Sequence, residues 1–184
     1  IPVKFKEYNK IKPKIKNNYL RSSINDENMS FVFSLSKLLK INKKIFIKSM
    51  SSFLGLPHRY EVFFKKKNII FINDSKATSF QATKFALANS KNIYWILGGL
   101  PKKKDKIDLR NVKNNIVKSY IVGKNIDFFK KQLKKTVKFS VERNLKNAVV
   151  SVLRDIKQLK QRENTILLSQ SAASLDQFKN FDNR

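Results

Sequence analysis

The sequence has 184 residues, 41% of them hydrophobic, which is enough to bury one core and part of a second. It carries 40 Lys+Arg against 13 Asp+Glu, a formal net charge of +27, with no cysteine and a single histidine, His58; disulfides, thiolate metal sites and a multi-histidine metal centre are therefore excluded. No apolar run reaches the roughly 18 residues a membrane-spanning helix needs, and Ile1-Pro2-Val3-Lys4-Phe5-Lys6 lacks the apolar stretch of a signal peptide, so the chain reads as a cytoplasmic protein with no membrane partner.

In chain order, residues 1 to about 20 alternate lysine with Val3, Phe5, Tyr8, Ile11 and Ile15, which predicts strands or connections at the edge of a sheet. From Asn28 to Lys40 the residues Val32, Leu35 and Leu39 recur at helical spacing, and Phe46, Met50 and Phe53 do so from Lys43 onward. Gly55-Leu56-Pro57 breaks this pattern and marks a domain boundary between 1–56 and 57–184. Beyond it, Tyr60–Phe64 and Ile69–Ile72 predict a hairpin across Lys65-Lys66-Lys67-Asn68. Helices are expected at Phe80–Ala88 and Phe128–Leu133, and strands at Ile93–Leu97, Ser119–Val122, around Val137-Lys138-Phe139 and at Thr165–Leu168. Leu145, Ala148, Val149, Val152, Ile156 and Leu159 make the longest helical stripe. Such alternation predicts an α/β, Rossmann-like domain whose mostly parallel sheet is covered on both faces.

The positive charge by itself points to a nucleic-acid or anionic-membrane partner. Its distribution points elsewhere: lysine outnumbers arginine, it is spread along the whole chain, and no aromatic RNP-type strand, zinc-finger spacing or basic helix with heptads accompanies it. A nucleic-acid partner is disfavoured.

In an open parallel sheet ligands gather at the carboxyl ends of the strands. Three segments follow strands there: Asn73-Asp74-Ser75-Lys76-Ala77-Thr78, Gly98-Gly99-Leu100-Pro101-Lys102, and Ser169-Gln170-Ser171-Ala172-Ala173-Ser174. Hydroxyls, backbone N–H groups and lysines of this kind suit phosphate or carboxylate. The plain alternative is helix capping by Asp74, Ser75 and Ser174, and three such loops on one edge weigh against it. His58, with no partner carboxylate in view, reads as structural, whereas Arg59 suits a bidentate contact to phosphate or ribose, with Glu61 as an alternative internal partner.

Gly55-Leu56-Pro57-His58-Arg59-Tyr60-Glu61, Asn73-Asp74-Ser75-Lys76-Ala77-Thr78 and Ser174-Leu175-Asp176-Gln177-Phe178-Lys179-Asn180-Phe181 together resemble the signature segments of the Mur ligases, specifically their D-glutamate-adding branch. The resemblance runs from about Leu20 to the last residue, and Ser75-Lys76-Ala77-Thr78 is its discriminating part. It implies a Rossmann-like C-terminal ligase domain over 57–184, preceded over 1–56 by the tail of a central ATP-binding α/β domain. It further implies an ATP- and Mg²⁺-dependent, monomeric amide ligase that joins D-glutamate to UDP-N-acetylmuramoyl-L-alanine through an acyl phosphate. By position, Asn25, Asn28, Arg59 and Asp74 match nucleotide contacts. Lys76 and Lys102 match catalytic cations, and Thr78, Lys102, Ser174, Leu175 and Phe181 match contacts to the amino-acid substrate. Ile24 stands where the family usually has histidine, and no Gly-rich phosphate loop ending in Gly-Lys-Ser/Thr occurs, so the phosphate loop and the main Mg²⁺ ligands are expected outside this sequence and the chain is expected to be an inactive fragment by itself. A folylpolyglutamate-synthase-type amide ligase and a non-catalytic remnant of the ligase fold are the competing readings.

Overall fold

In the structure, a computed structural model, residues 5–17, 19–21, 25–102, 105–159 and 163–173 are described. The chain divides into two compact units, Ile1–Leu54 and Gly55–Arg184.

The described residues of the first unit are helical. Helix α1 (Phe5–Ile11) runs into a 3-10 turn at Lys12–Lys14, and α2 (Asp26–Leu38) and α3 (Lys43–Ser52) follow. This corrects the expectation of strands at the start of the chain. Tyr8, Ile11 and Ile15 all reach zero exposure, and their spacing of three and four is helical; the intervening lysines only imitate a strand's alternation. These residues pack with Leu20, Met29, Phe33 and Phe46. On α2 the buried residues are Met29, Ser30, Phe33, Ser34 and Ser36, while the expected stripe is exposed, Val32 at 40% and Leu39 at 62%. Both stripes obey the helical period, so periodicity identifies the helix without saying which stripe faces the core. Ser34 Oγ donates to the Ser30 carbonyl at 2.8 Å and Ser36 Oγ to that of Phe33 at 2.7 Å, so these buried hydroxyls are satisfied by their own helix.

The second unit holds a six-stranded sheet. Strands β1 (Glu61–Lys66) and β2 (Ile69–Asn73) form the expected antiparallel hairpin. Helix α4 (Phe80–Ala88), β3 (Ile93–Gly98), β4 (Ile116–Val122), α5 (Ile126–Leu133), β5 (Phe139–Val141), α6 (Leu145–Leu159) and β6 (Asn164–Leu168) complete it. The spatial order is β1-β2-β6-β3-β4-β5, with every pairing after the hairpin parallel. The step from β2 to β3 and the step from β4 to β5 cross the sheet in one direction, and the step from β5 to β6 returns. Right-handed crossovers therefore place α4 and α5 on one face and α6 on the other. Packing agrees: Phe80, Leu87, Phe129 and Leu133 join Trp95, Leu97 and Ile121 in one core, whereas Ala148, Val152 and Ile156 join Tyr94, Ile96 and Tyr120 in a second. With both faces covered, β3 is buried at all six positions. Strand β5 begins two residues later than expected, because Val137 still donates to the Leu133 carbonyl in the turn that ends α5. Among the described residues no helix is long and apolar enough to cross a membrane.

At the other end of the strands, Asp155 of α6 accepts from Lys118 Nζ and from Tyr120 Oη, each at 2.7 Å, tying α6 to β4. Burial pushes this carboxyl up, but the bonds from Lys118 and Tyr120 and the charges of Lys118 and Arg154 outweigh it and hold it below the ordinary value. A depressed carboxyl stabilises above its unfolded pKa and loses that contribution in acid. Asp155→Asn should lower stability near neutral pH by about 2 kcal/mol, with the gap between the two proteins closing below about pH 4; urea denaturation across pH checks this, and a gap that does not vary with pH would refute it.

Candidate functional site

The carboxyl ends of β2, β3, β4 and β6 lie along one edge of the parallel sheet, and a polar network ties the segments that follow them. Asp74, directly after β2, is only 8% exposed. Its backbone N–H donates to the Leu168 carbonyl at 2.8 Å, prolonging the β2–β6 ladder by one bond. Its Oδ1 accepts from the Tyr60 N–H at 3.1 Å and its Oδ2 from Ser169 Oγ at 2.7 Å. Ser169 Oγ also stands 2.8 Å from Thr83 Oγ1, and Ser171 Oγ stands 2.9 Å from that same atom. A hydroxyl carries one hydrogen. With Ser169 donating to the carboxylate, Ser171 donates to Thr83, and the single hydrogen of Thr83 is shared between Ser169 and the Ser79 carbonyl, 3.3 Å away.

Burial pushes the Asp74 carboxyl up to about 6, against the opposing pull of Ser169, the Tyr60 N–H and the charge of Arg59. The neighbouring turn is built around His58, whose Nδ1 lies 2.8 Å from Asn73 Nδ2. This bond joins the ring to the last residue of β2. Glu61 accepts from the His58 N–H at 2.9 Å, and the Lys76 N–H donates to the His58 carbonyl at 3.0 Å. His58 is thus structural, as expected, and Glu61 bonds to the turn's backbone. The cap of α4 is Ser79, whose side chain accepts from Ala82 N, which leaves Asp74 and Ser75 outside that role.

The β3 segment is held by backbone contacts. Gly98 N donates to the Gln170 carbonyl at 3.1 Å and Leu100 N to the Ala173 carbonyl at 2.6 Å. A Cβ on Gly98 would collide with the Val122 carbonyl oxygen, and one on Gly99 with that of Ala173, so only glycine allows these loops to approach so closely.

The structure therefore brings together the segments after β2, β3 and β6. Lys76 and Lys102 are exposed and Thr78 is half-buried. Arg59 is exposed beside Asp74, close enough for its charge to act on that carboxyl. Asn25 and Asn28 belong to the first unit. Asn28 is exposed in the first turn of α2, and Asn25 donates its amide to the Tyr19 carbonyl at 2.8 Å. Ser174, Leu175 and Phe181 lie outside the described residues. Among those described, no cluster of three or more His, Asp or Glu side chains could hold a metal ion.

Sequence reasoning placed Ser169 and Ser171 in a segment at the sheet edge without their bonds to Asp74 and Thr83, and it missed Thr83. A partial signal existed for Thr83: Phe80, Thr83, Ala86 and Leu87 are the buried face of α4, and a buried hydroxyl must find a partner, in its own helix or in another element.

No family model matches the chain. The chain is 36% identical over 165 residues to the UDP-N-acetylmuramoylalanine–D-glutamate ligase of Bartonella henselae, covering 90% of this chain and 35% of that one. It is 34% identical over 185 residues to the ligase of the same name from a Wolbachia of Brugia malayi, covering 97% and 37%. The chain thus spans about a third of the length of the curated relatives it matches. Among solved structures, the MurF ligase of Thermotoga maritima in complex with ADP shares the fold, with a TM-score of 0.54 and 14% identity over 81% of this chain and 34% of that one.

The raised Asp74 carboxyl sets a direction for stability. Its folded pKa of about 6 exceeds its ordinary 3.8, so its contribution is fully present below about pH 4 and is lost as pH rises through 6, by about 3 kcal/mol at most. Urea denaturation from pH 4 to 7 should show Asp74→Asn with a flatter decline than the wild type over that window. Equal slopes would mean that the carboxyl titrates normally in the folded chain.

Proposed function

We propose, on the premise that this chain belongs to the Mur ligase family, on its D-glutamate-adding branch, that it forms part of an ATP-dependent amide ligase joining D-glutamate to UDP-N-acetylmuramoyl-L-alanine. The observation carrying this reading is the similarity to ligases of that name over 90% of the chain, taken with the convergence of the Asp74–Thr78, Gly98–Lys102 and Ser169–Ala173 segments on one sheet edge. The protein acts as a monomer in the cytoplasm.

ATP supplies the phosphoryl group that activates the precursor's terminal carboxylate as an acyl phosphate, and the amine of D-glutamate then displaces phosphate. The physical demand is to bring anions together while negative charge grows on the reacting carbon's oxygens. Lys76 and Lys102, exposed cations on loops at the sheet edge, offset that charge. D-Glutamate brings two carboxylates, which Lys102 and the hydroxyls of Thr78 and Ser174 would bind and orient, with Leu175 and Phe181 against its carbon chain. In the second unit Arg59 carries an exposed guanidinium that suits the nucleotide; in the first unit Asn28, exposed in the first turn of α2, and Asn25, three positions before it, are nucleotide contacts by the resemblance alone. Asp74 retains acceptor positions beyond the two taken by Tyr60 and Ser169. Among the described residues no three His, Asp or Glu side chains cluster, so none of them is assigned to Mg²⁺ and no step is routed through the metal.

Because the chain covers 35% of its relative, binding is the appropriate test. Isothermal titration at moderate salt should find weak binding of D-glutamate, preferred over L-glutamate, and weakened at least about tenfold, or about 1.4 kcal/mol, by Lys76→Ala. Equal binding of the two enantiomers would sink the proposal. Tight, steeply salt-dependent binding to DNA in its place would favour a nucleic-acid module.

A further inference from the structure

Helix α5 takes no part in the reading above, yet two of its side chains reach the loop that carries Lys102. Asn125 occupies the N-cap of α5 but makes no side-chain cap bond, although asparagine is among the strongest N-cap residues. Its Nδ2 instead donates to the Gly99 carbonyl at 2.9 Å. Gln132, in the last turn, accepts from the Ile107 N–H at 3.3 Å through Oε1 and donates to the Asp105 carbonyl at 3.5 Å through Nε2. Seven residues separate Asn125 from Gln132, nearly two full turns, so both project from one face.

Lys102 lies between these two anchors. Its N–H donates to Asp105 Oδ2 at 2.8 Å, and the Asp105 N–H donates to the Lys102 carbonyl at 3.0 Å, so the two residues are tied by a pair of bonds. On the near side, the Leu100 N–H is bonded to the Ala173 carbonyl, and Gly99 leaves no room for a side chain against it. Leu100 and Asp105 are therefore each bonded to a neighbouring segment or to α5, while Lys102 itself is exposed.

We propose that Asn125 and Gln132 are positioning residues that bracket Gly99–Lys102 and Asp105–Ile107 and thereby set the stance of Lys102 toward a carboxylate of the amino-acid substrate. The substrate half of this inference rests on the function proposed above. The bracket itself rests on α5 alone.

Amide hydrogen exchange and D-glutamate titration on the full chain test both halves. Asn125→Asp is the discriminating variant, because aspartate caps a helix as well as asparagine but has no N–H to donate. Paired with Gln132→Ala, it should speed exchange of the Leu100 and Lys102 amides about tenfold and weaken D-glutamate binding about tenfold, as expected for losing hydrogen bonds that hold one conformation. The Ile96 and Leu97 amides of β3 should keep their protection, which separates loop loosening from unfolding. Wild-type exchange at Leu100 and Lys102 overturns the bracket, and faster exchange with unchanged affinity overturns its link to the substrate. A wild-type chain that binds no D-glutamate overturns the amino-acid reading of the site, and the exchange data then decide the bracket by themselves.

Discussion

The carboxyl edge of the sheet is organised by the need to satisfy Asp74. A carboxylate at 8% exposure loses most of its hydration, and that loss is tolerable only where donors replace the water. The donors come from distant parts of the chain: Tyr60 from the turn before β1, and Ser169 from the segment after β6, 95 positions away. Thr83 and Ser171 then complete the hydrogen bonding of Ser169. One buried charge thus fixes the relative placement of the β2 loop, the β6 loop and α4. Lys76 and Thr78 hang from that junction only two and four residues away.

The β3 loop obeys a different constraint, contact between backbones. Gly98 and Gly99 sit where any side chain would strike a carbonyl oxygen of β4 or of the β6 segment, so the loop lies as close to its neighbours as the main chain permits. Electrostatics secures one side of the edge and steric closeness the other. In both places the fixed atoms are buried or in the backbone, and the exposed groups include Lys76 and Lys102.

The second unit was largely legible in the sequence because its elements are bounded and strongly periodic. Phe80–Ala88 and the stripe from Leu145 emerge at the expected positions. The first unit was less legible. Lysines between Tyr8, Ile11 and Ile15 simulate a strand, and α2 carries two apolar stripes of equal periodicity, of which Met29 and Phe33, and not Val32 and Leu39, are buried. In the sheet, β5 starts late because the chain is still finishing α5 at Val137. As for the site, the loops after the strands were legible from topology, since an open parallel sheet has only one edge at which they can meet. The network joining them was not. Its members come from the β2 loop (Asp74), α4 (Thr83) and the segment after β6 (Ser169 and Ser171), and their meeting is a product of the β2-β6-β3 strand order, which no local pattern encodes. Asn125 was hidden for a related reason: in sequence it is an ordinary helix cap.

The net charge of +27 bears on specificity more than on affinity. A surface so rich in lysine attracts any anion, and that attraction is long-ranged, screened by salt and indifferent to chirality. It raises encounter rates without distinguishing an anion from its mirror image, since enantiomers carry the same charges at the same separations. Discrimination between them has to arise from the placement of a few groups within the edge, and placement requires that the cations be carried on backbone that does not yield. If the proposed function holds, the surroundings of Lys102 meet that requirement, since its bonds with Asp105, the bridge from Leu100 to Ala173 and the side chains of Asn125 and Gln132 all hold main-chain atoms. In a chain with lysine to spare, what marks a lysine for recognition is the rigidity of its mounting.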